Sequence, residues 1–250
     1  MDSVKLLFAS TILCLWIITG ESIMNGDEAA PHSRPYMASI QKNGNHECGG
    51  FLIASQWVMS ASHCFQDGVG GRKIVLGAHS LSADEDTKQT FDIVAVYNHP
   101  DFNKAIYDND ISLAKLSRPA VETDAVKQLK YAREGAADPQ EDAEVETAGW
   151  GFTDNLGSKP DKLQELSIAV VGRHICGRSR SYGPNFTKNM ICANKRGQDT
   201  CAGDSGGPLL YKGIAVGITS NGGKCGSSRK PGLYTIISHY TQWIDQTMTQ

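Results

Sequence analysis

The stretch Asp199-Thr200-Cys201-Ala202-Gly203-Asp204-Ser205-Gly206-Gly207-Pro208 organises the chain. Ser205 stands among glycines, so the backbone can turn sharply and the hydroxyl can stand clear. The Gly203 and Ser205 amides are then free to converge on one spot. Two such N–H donors stabilise an oxyanion that develops on a carbonyl under attack. A serine alone is a poor nucleophile and needs a base, itself oriented by a third group. Two further stretches supply them. Ser60-Ala61-Ser62-His63-Cys64 places a histidine beside a cysteine, and Asp108-Asn109-Asp110-Ile111-Ser112-Leu113 places a carboxylate at the mouth of an apolar run. That run would draw Asp110 inward, where a carboxylate needs a partner. His63 would be the partner, held in the tautomer that accepts a proton from Ser205. The blander alternative for Asp108 to Asp110 is a solvated turn. His32, His46, His79, His99, His174 and His239 have no comparable setting and are expected in surface or hydrogen-bonding roles.

The chain has 250 residues, 40% hydrophobic, enough for a sizeable core. Its formal charge of -3 gives no basic field for nucleic acid or acidic membranes, and neither is expected as a partner. A monomer is expected. Residues 1–22 read as a signal peptide: Lys5 is followed by a short apolar stretch from Leu6 to Thr19, too short to span a bilayer. The remainder, 23–250, is expected to be one secreted domain. It holds six cysteines, Cys48, Cys64, Cys176, Cys192, Cys201 and Cys225, an even set for an oxidising compartment. Spacing alone leaves their pairing open. No C-x-x-C pair occurs, so neither a metal site nor any other cofactor is expected.

Short apolar runs recur with turns between them: Tyr36–Ile40, Phe51–Ile53, Trp57–Met59, Ile74–Leu76, Phe91–Tyr97, Ile111–Leu116, Val145–Ala148, Leu166–Val171, Met190–Ala193, Pro208–Tyr211, Ile214–Ser220 and Gly232–Ile237. Many short strands predict an all-β protein of paired antiparallel barrels, divided near the polar stretch Pro119 to Gln140. Ile237, Tyr240, Trp243, Ile244 and Met248 follow a 3.6-residue period and predict one C-terminal amphipathic helix.

Gly203-Asp204-Ser205-Gly206-Gly207-Pro208, the His63-Cys64 pair and the Asp110 motif, in the order His63, Asp110, Ser205, resemble the trypsin-like serine proteases of chymotrypsin fold. The likeness runs from Ile23 to the C-terminus. It implies two six-stranded antiparallel β-barrels with a C-terminal α-helix, and an endopeptidase working through an acyl-enzyme. It implies the disulfides Cys48–Cys64, Cys176–Cys192 and Cys201–Cys225. A further bridge common in the family has Val145 and Tyr211 at its two places. The family's new N-terminus would be Ile23, its α-amino group paired with Asp204 to hold the active state. The family has Arg or Lys just before this isoleucine, whereas this chain has Gly20-Glu21-Ser22. Gly20 and Ser22 fit the small-x-small rule for signal peptidase. Signal-peptide removal is therefore expected to free Ile23 directly, or after loss of Glu21-Ser22.

The resemblance puts Asp199, six residues before Ser205, on the floor of the primary specificity pocket. A carboxylate there selects Arg, with Lys second. Gly222 and Gly232 would form its walls and Thr200 would add a hydroxyl beside Asp199. In Ser220-Asn221-Gly222-Gly223-Lys224-Cys225 the family's usual tryptophan is replaced by Asn221. Lys224 at the rim either reaches Asp199 and restrains the resting enzyme or is simply solvated. Ser33–Ser39, Leu76–Ser82 and the missing tryptophan resemble the complement factor D (adipsin) branch. That branch implies factor B bound to C3b as substrate in the alternative complement pathway. A granzyme-like granule protease and an inactive, protease-fold binding protein are the alternatives. Asn185-Phe186-Thr187 is a glycosylation sequon at Asn185, and Asp84-Glu85-Asp86 reads as a solvated acidic face rather than a calcium site.

Overall fold

The computed structural model describes residues 26–227 and 229–250. The expected signal peptide and Ile23, half of the expected Ile23–Asp204 pair, lie outside the described residues. Thirteen strands are present: β1 (Asp27–Glu28), β2 (Met37–Lys42), β3 (Asn45–Ala54), β4 (Trp57–Ser60), β5 (Arg72–Leu76), β6 (Gln89–Asn98), β7 (Ser112–Leu116), β8 (Glu144–Gly149), β9 (Gln164–Val171), β10 (Met190–Asn194), β11 (Pro208–Tyr211), β12 (Ile214–Asn221) and β13 (Gly232–Ile236). All twelve apolar runs fall on strands. Only the two-residue β1 gave no sequence signal.

The first barrel closes in the order β2-β3-β4-β7-β6-β5. The second runs β9-β10-β13-β12-β11-β8 and closes through the β8–β9 pairing, with β1 added antiparallel to β9. All pairings between these strands are antiparallel. Each barrel buries its own filling. Phe51, Leu52, Met59, Ile74 and Phe91 pack in the first, and Val145, Leu166, Ile168, Leu209 and Tyr234 in the second. In β9 the alternation is clear: Leu166, Ile168 and Val170 are buried while the residues between them are not. Each such side chain contributes about 1.5–3 kcal/mol by leaving water.

The stretch expected as a polar boundary is tied to both barrels. Leu129 N–H donates to Leu52 O at 2.8 Å and Ala132 N–H to Ala215 O at 2.8 Å. The connection is therefore a strap rather than a free linker. The C-terminal helix α2 is Thr241–Met248, shorter than its periodic pattern. Ile237–Tyr240 forms a 3₁₀ turn before it. A four-residue helix, α1 (Arg173–Cys176), is the other α-helical turn among the described residues. No described helix is long and apolar enough to cross a membrane.

The three disulfides pair as the resemblance implied: Cys48–Cys64, Cys176–Cys192 and Cys201–Cys225. Val145 and Tyr211, at the places of the absent bridge, belong to one apolar cluster. Apolar packing occupies the site of that crosslink.

Candidate active site

The cleft lies between the barrels, and each barrel contributes to it. A 3₁₀ turn at Ser62–Phe65 follows β4 and carries His63. The segment entering β7 carries Asp110. Ser205 sits in the turn before β11. His63, Ser205, Thr200, Ser220, Asn221 and Gly222 line one cavity of about 260 Å³.

Asp110 is fully buried and its carboxylate is fully engaged. Oδ2 lies 2.7 Å from His63 Nδ1 and accepts from Ser220 Oγ at 2.6 Å. Oδ1 accepts the His63 backbone N–H at 2.9 Å. Thr235 Oγ1 donates to the Asp110 carbonyl at 3.1 Å. Three donors thus hold one carboxylate from both barrels. With Nδ1–H given to Asp110, His63 presents Nε2 as a proton acceptor. Among the described residues Ser205 Oγ is not hydrogen-bonded to it. Such contacts are commonly loose before substrate arrives. Ser62, where an alanine is usual in the family, spends its hydroxyl on Ile111 O at 2.6 Å.

The backbone amides around Ser205 fall into two sets. Asp204, Gly206 and Gly207 N–H groups are all spent on backbone carbonyls. Those of Gly203 and Ser205 donate to no described residue and remain available. Gly203 holds φ of +100°, which a side chain would strain, and a Cβ there would meet Gly151 Cα at 2.9 Å. His46 fixes the same turn: Nε2 lies 2.9 Å from Gly203 O, and Nδ1 lies 2.8 Å from Ser39 Oγ. Burial pushes His46 down to about 4, so it is neutral near pH 7 and Nε2 can donate to that carbonyl. His46 is a supporting residue that sequence reading placed only in a general hydrogen-bonding role.

Asp204 is buried, with Gly151 N–H on Oδ1 and Cys201 N–H on Oδ2, both at 2.8 Å. Burial raises it to about 6 despite these donors. Asp199 is 1% exposed, and its Oδ1 has no hydrogen-bond partner among the described residues. Burial pushes it up to about 7. A Cβ on Gly232 would sit 2.7 Å from that oxygen. Neither Asp199 nor Gly232, expected as floor and wall of the pocket, is among the residues that line the cleft cavity. The Thr200 hydroxyl was expected beside Asp199. It lies 3.1 Å from Tyr234 OH, a buried phenol that sequence reading missed.

These geometries are accompanied by sequence likeness. The family model described as trypsin matches residues 23–244. The chain belongs to the trypsin family.

Among relatives, serine protease 57 of Mus musculus is 40% identical over 230 residues, covering 90% of this chain and 80% of its own length. Granzyme M of Rattus norvegicus is 38% identical over 246 residues, covering 96% and 95%. Trypsin-4 of Rattus norvegicus is 36% identical over 249 residues, covering 98% of both. This trypsin-family chain is a serine endopeptidase, a hydrolase acting on protein substrates.

The remaining expected positions lie as follows. Asn221 is exposed at the end of β12. Lys224 is exposed and forms no ion pair with Asp199, so this structure does not contain the self-restraining contact. Asn185 is exposed at the end of a 3₁₀ turn, and Thr187 of its sequon donates to Asp108 Oδ1 at 2.6 Å. Glu85 is not a merely solvated acid: it accepts His79 N–H at 2.8 Å and Ser80 N–H at 3.1 Å, closing its own turn. Among the described residues the one grouping with metal-ligand spacing is Cys48, His63 and Cys64, whose two sulfurs already form a disulfide.

Tyr107 also lines the cleft, and nothing in the sequence singled it out. Its ring meets the His63 ring edge-on, with centroids 5.5 Å apart, and it holds φ of +58°. Tyr107→Ala should open space beside His63. In paired Arg peptides, the kcat/KM ratio for Leu over Gly just before the Arg is expected to rise about threefold to tenfold. An unchanged ratio would show that Tyr107 does not wall the substrate.

Proposed function

We propose that this chain is a secreted endopeptidase that cleaves after Arg, with Lys second, using Ser205 as nucleophile, His63 as base and Asp110 as its orienting carboxylate. The observation that carries the specificity is Asp199, a buried carboxylate beside Gly232 with one oxygen unpartnered among the described residues. A guanidinium offers paired donors that complement a carboxylate. In the reaction, Ser205 Oγ bonds the scissile carbonyl carbon as its proton passes to His63 Nε2. The Gly203 and Ser205 amides receive the oxyanion, and His63 returns the proton to the leaving amine. Water then attacks the acyl-enzyme by the same relay. The mature chain, 23–250, begins at Ile23, whose amine pairs with Asp204. Asn185 carries a glycan.

The similarity to granzyme M and serine protease 57 supports a granzyme-like enzyme. A second reading, the factor D type acting on factor B bound to C3b, is favoured by one feature: Asn221 leaves no aromatic shelf beside the pocket. Rates on a small Arg ester and on C3b-bound factor B, with Ser205→Ala as blank, separate the two. Ready ester cleavage without preference for the complex is expected. Slow ester turnover with fast single-site cut of bound factor B would support the second reading instead. Absence of ester and peptide cleavage after Arg would defeat the specificity assignment.

A further inference from the structure

The net charge of -3 conceals a segregation. Residues 173–230 hold ten Lys and Arg against two acids, Asp199 and Asp204, both buried. That leaves fourteen basic and twenty-five acidic residues elsewhere. The two groups of cations also differ in pairing. In the rest of the chain Arg34, Lys42, Arg72, Lys73, Lys127, Arg133 and Lys162 each bridge a carboxylate. Among the described residues, none of the ten between 173 and 230 does. The expectation of no basic field holds for the average charge and fails for this face.

Five of these cations lie on two loops in contact. Arg178 and Arg180 flank the turn that leads into Tyr182, and both are exposed. Ser181 Oγ donates to Arg229 O at 2.7 Å, and Tyr182 OH donates to Pro231 O. Lys230 Nζ lies 5.9 Å from the centre of the Tyr182 ring. Lys230 also packs on the cleft: its carbonyl accepts Gly223 N–H at 3.3 Å, and a Cβ on Gly223 would touch its own Cβ. Gly223 lines the cavity that holds Ser205, and Lys224 follows it. Nearby carboxylates are committed elsewhere. Asp108 accepts from Thr187 and Asn189, and Asp154 from Ser158 and Leu156. Among the described residues the cluster therefore makes no ion pair, and it continues the rim of the pocket.

We propose that Arg178, Arg180, Lys224, Arg229 and Lys230 form a subsite for an acidic stretch of the polypeptide substrate, upstream of the cleaved bond. This rests on the Asp199 reading. An arginine seated on Asp199, with the leaving group toward His63, carries the preceding residues along the Asn221–Gly223 side. Tethering there raises the effective concentration of carboxylates over the cluster. A free polyanion would need no such continuity with the pocket rim. Charges of this kind act chiefly through steering and are weakened by salt.

The test uses fluorogenic peptides with one scissile Arg and either four Glu or four Ser upstream of it, and the variant Arg178→Gln/Arg180→Gln/Arg229→Gln. Wild-type kcat/KM is expected to favour the Glu peptide about tenfold at about 50 mM NaCl and about twofold or less at about 0.5 M. The triple variant should lose that preference and cleave the Ser peptide at the wild-type rate. Equal rates on both peptides in the wild type, or a preference that survives in the variant, would overturn the proposal. If neither peptide is cut, the Arg-specificity reading has failed. The subsite is then decided by anisotropy of the labelled Glu peptide on Ser205→Ala protein, where variant-sensitive binding supports it and no binding overturns it. Variant-sensitive binding of a sulfated hexasaccharide without any for the Glu peptide would also overturn it, assigning the face to polysaccharide.

Discussion

Asp110→Asn is expected to lower kcat on an Arg ester by about four orders of magnitude while leaving KM within a few-fold. The carboxylate takes donors only: His63 Nδ1–H and Ser220 Oγ on Oδ2, the His63 backbone N–H on Oδ1. With Oδ1 of the amide kept on the His63 backbone N–H, its NH₂ faces Nδ1. That nitrogen must then accept, and the ring proton moves to Nε2, where the base is needed. The reversed amide would lose the backbone N–H and strand a buried donor, costing about 1–3 kcal/mol. Rates should be followed from pH 6 to 10, with Ser205→Ala as background. A fall below tenfold would mean that Asp110 does not set the tautomer of His63. A matching loss of melting temperature would instead point to damage of the loop.

Asp199→Asn should move activity and stability in opposite directions. On the proposed Arg specificity, removing this charge strands a bound guanidinium, and kcat/KM after Arg is expected to fall about a thousandfold or more. Without that guest the carboxylate is a burden to the folded state, because burial lifts it from 3.8 to about 7. The sign follows from proton counts. Between about pH 4 and pH 7 the unfolded chain releases this proton while the folded chain keeps it, so stability falls as pH rises. Above pH 7 both states are ionised and the whole penalty, on the order of a few kcal/mol, applies. Asparagine has no such titration. Its melting temperature should match wild type near pH 4 and exceed it by several degrees at pH 8. Calorimetry at the two pH values checks this. A variant less stable than wild type at pH 8, or one that still cleaves Arg esters at a tenth of the normal rate, would remove Asp199 from the pocket floor.

The strands and the three candidate catalytic side chains could be read from the sequence because each reading rests on a local pattern. Period-two and apolar runs mark the strands. Glycines around Ser205, an apolar run after Asp110 and a cysteine beside His63 mark the chemistry. What the sequence left open was the partner each side chain takes. Thr200 was expected beside Asp199, and the partner of its hydroxyl, Tyr234, lies thirty-four residues away. Glu85 looked solvated beside two other acids, yet backbone amides of its own turn claim it. For Lys224 the sequence left two readings open, contact with Asp199 or solvation, and the side chain is exposed.

By itself the sequence determined the residue types that the chemistry requires, their order along the chain and the periodicities that make two barrels. Those depend on intrinsic reactivity and on neighbours a few residues apart. Only the tertiary structure decided which distant groups converge. Ser220 and Thr235 of the second barrel hold Asp110 of the first, His46 anchors the Gly203 carbonyl, and Tyr107 stands against His63. It also gathered from two loops five cations that make no ion pair among the described residues. A hydrogen bond acts over about 3 Å and screened charges over about 10 Å. Interactions that short depend on where the barrels bring the chain together, whatever the separation in sequence.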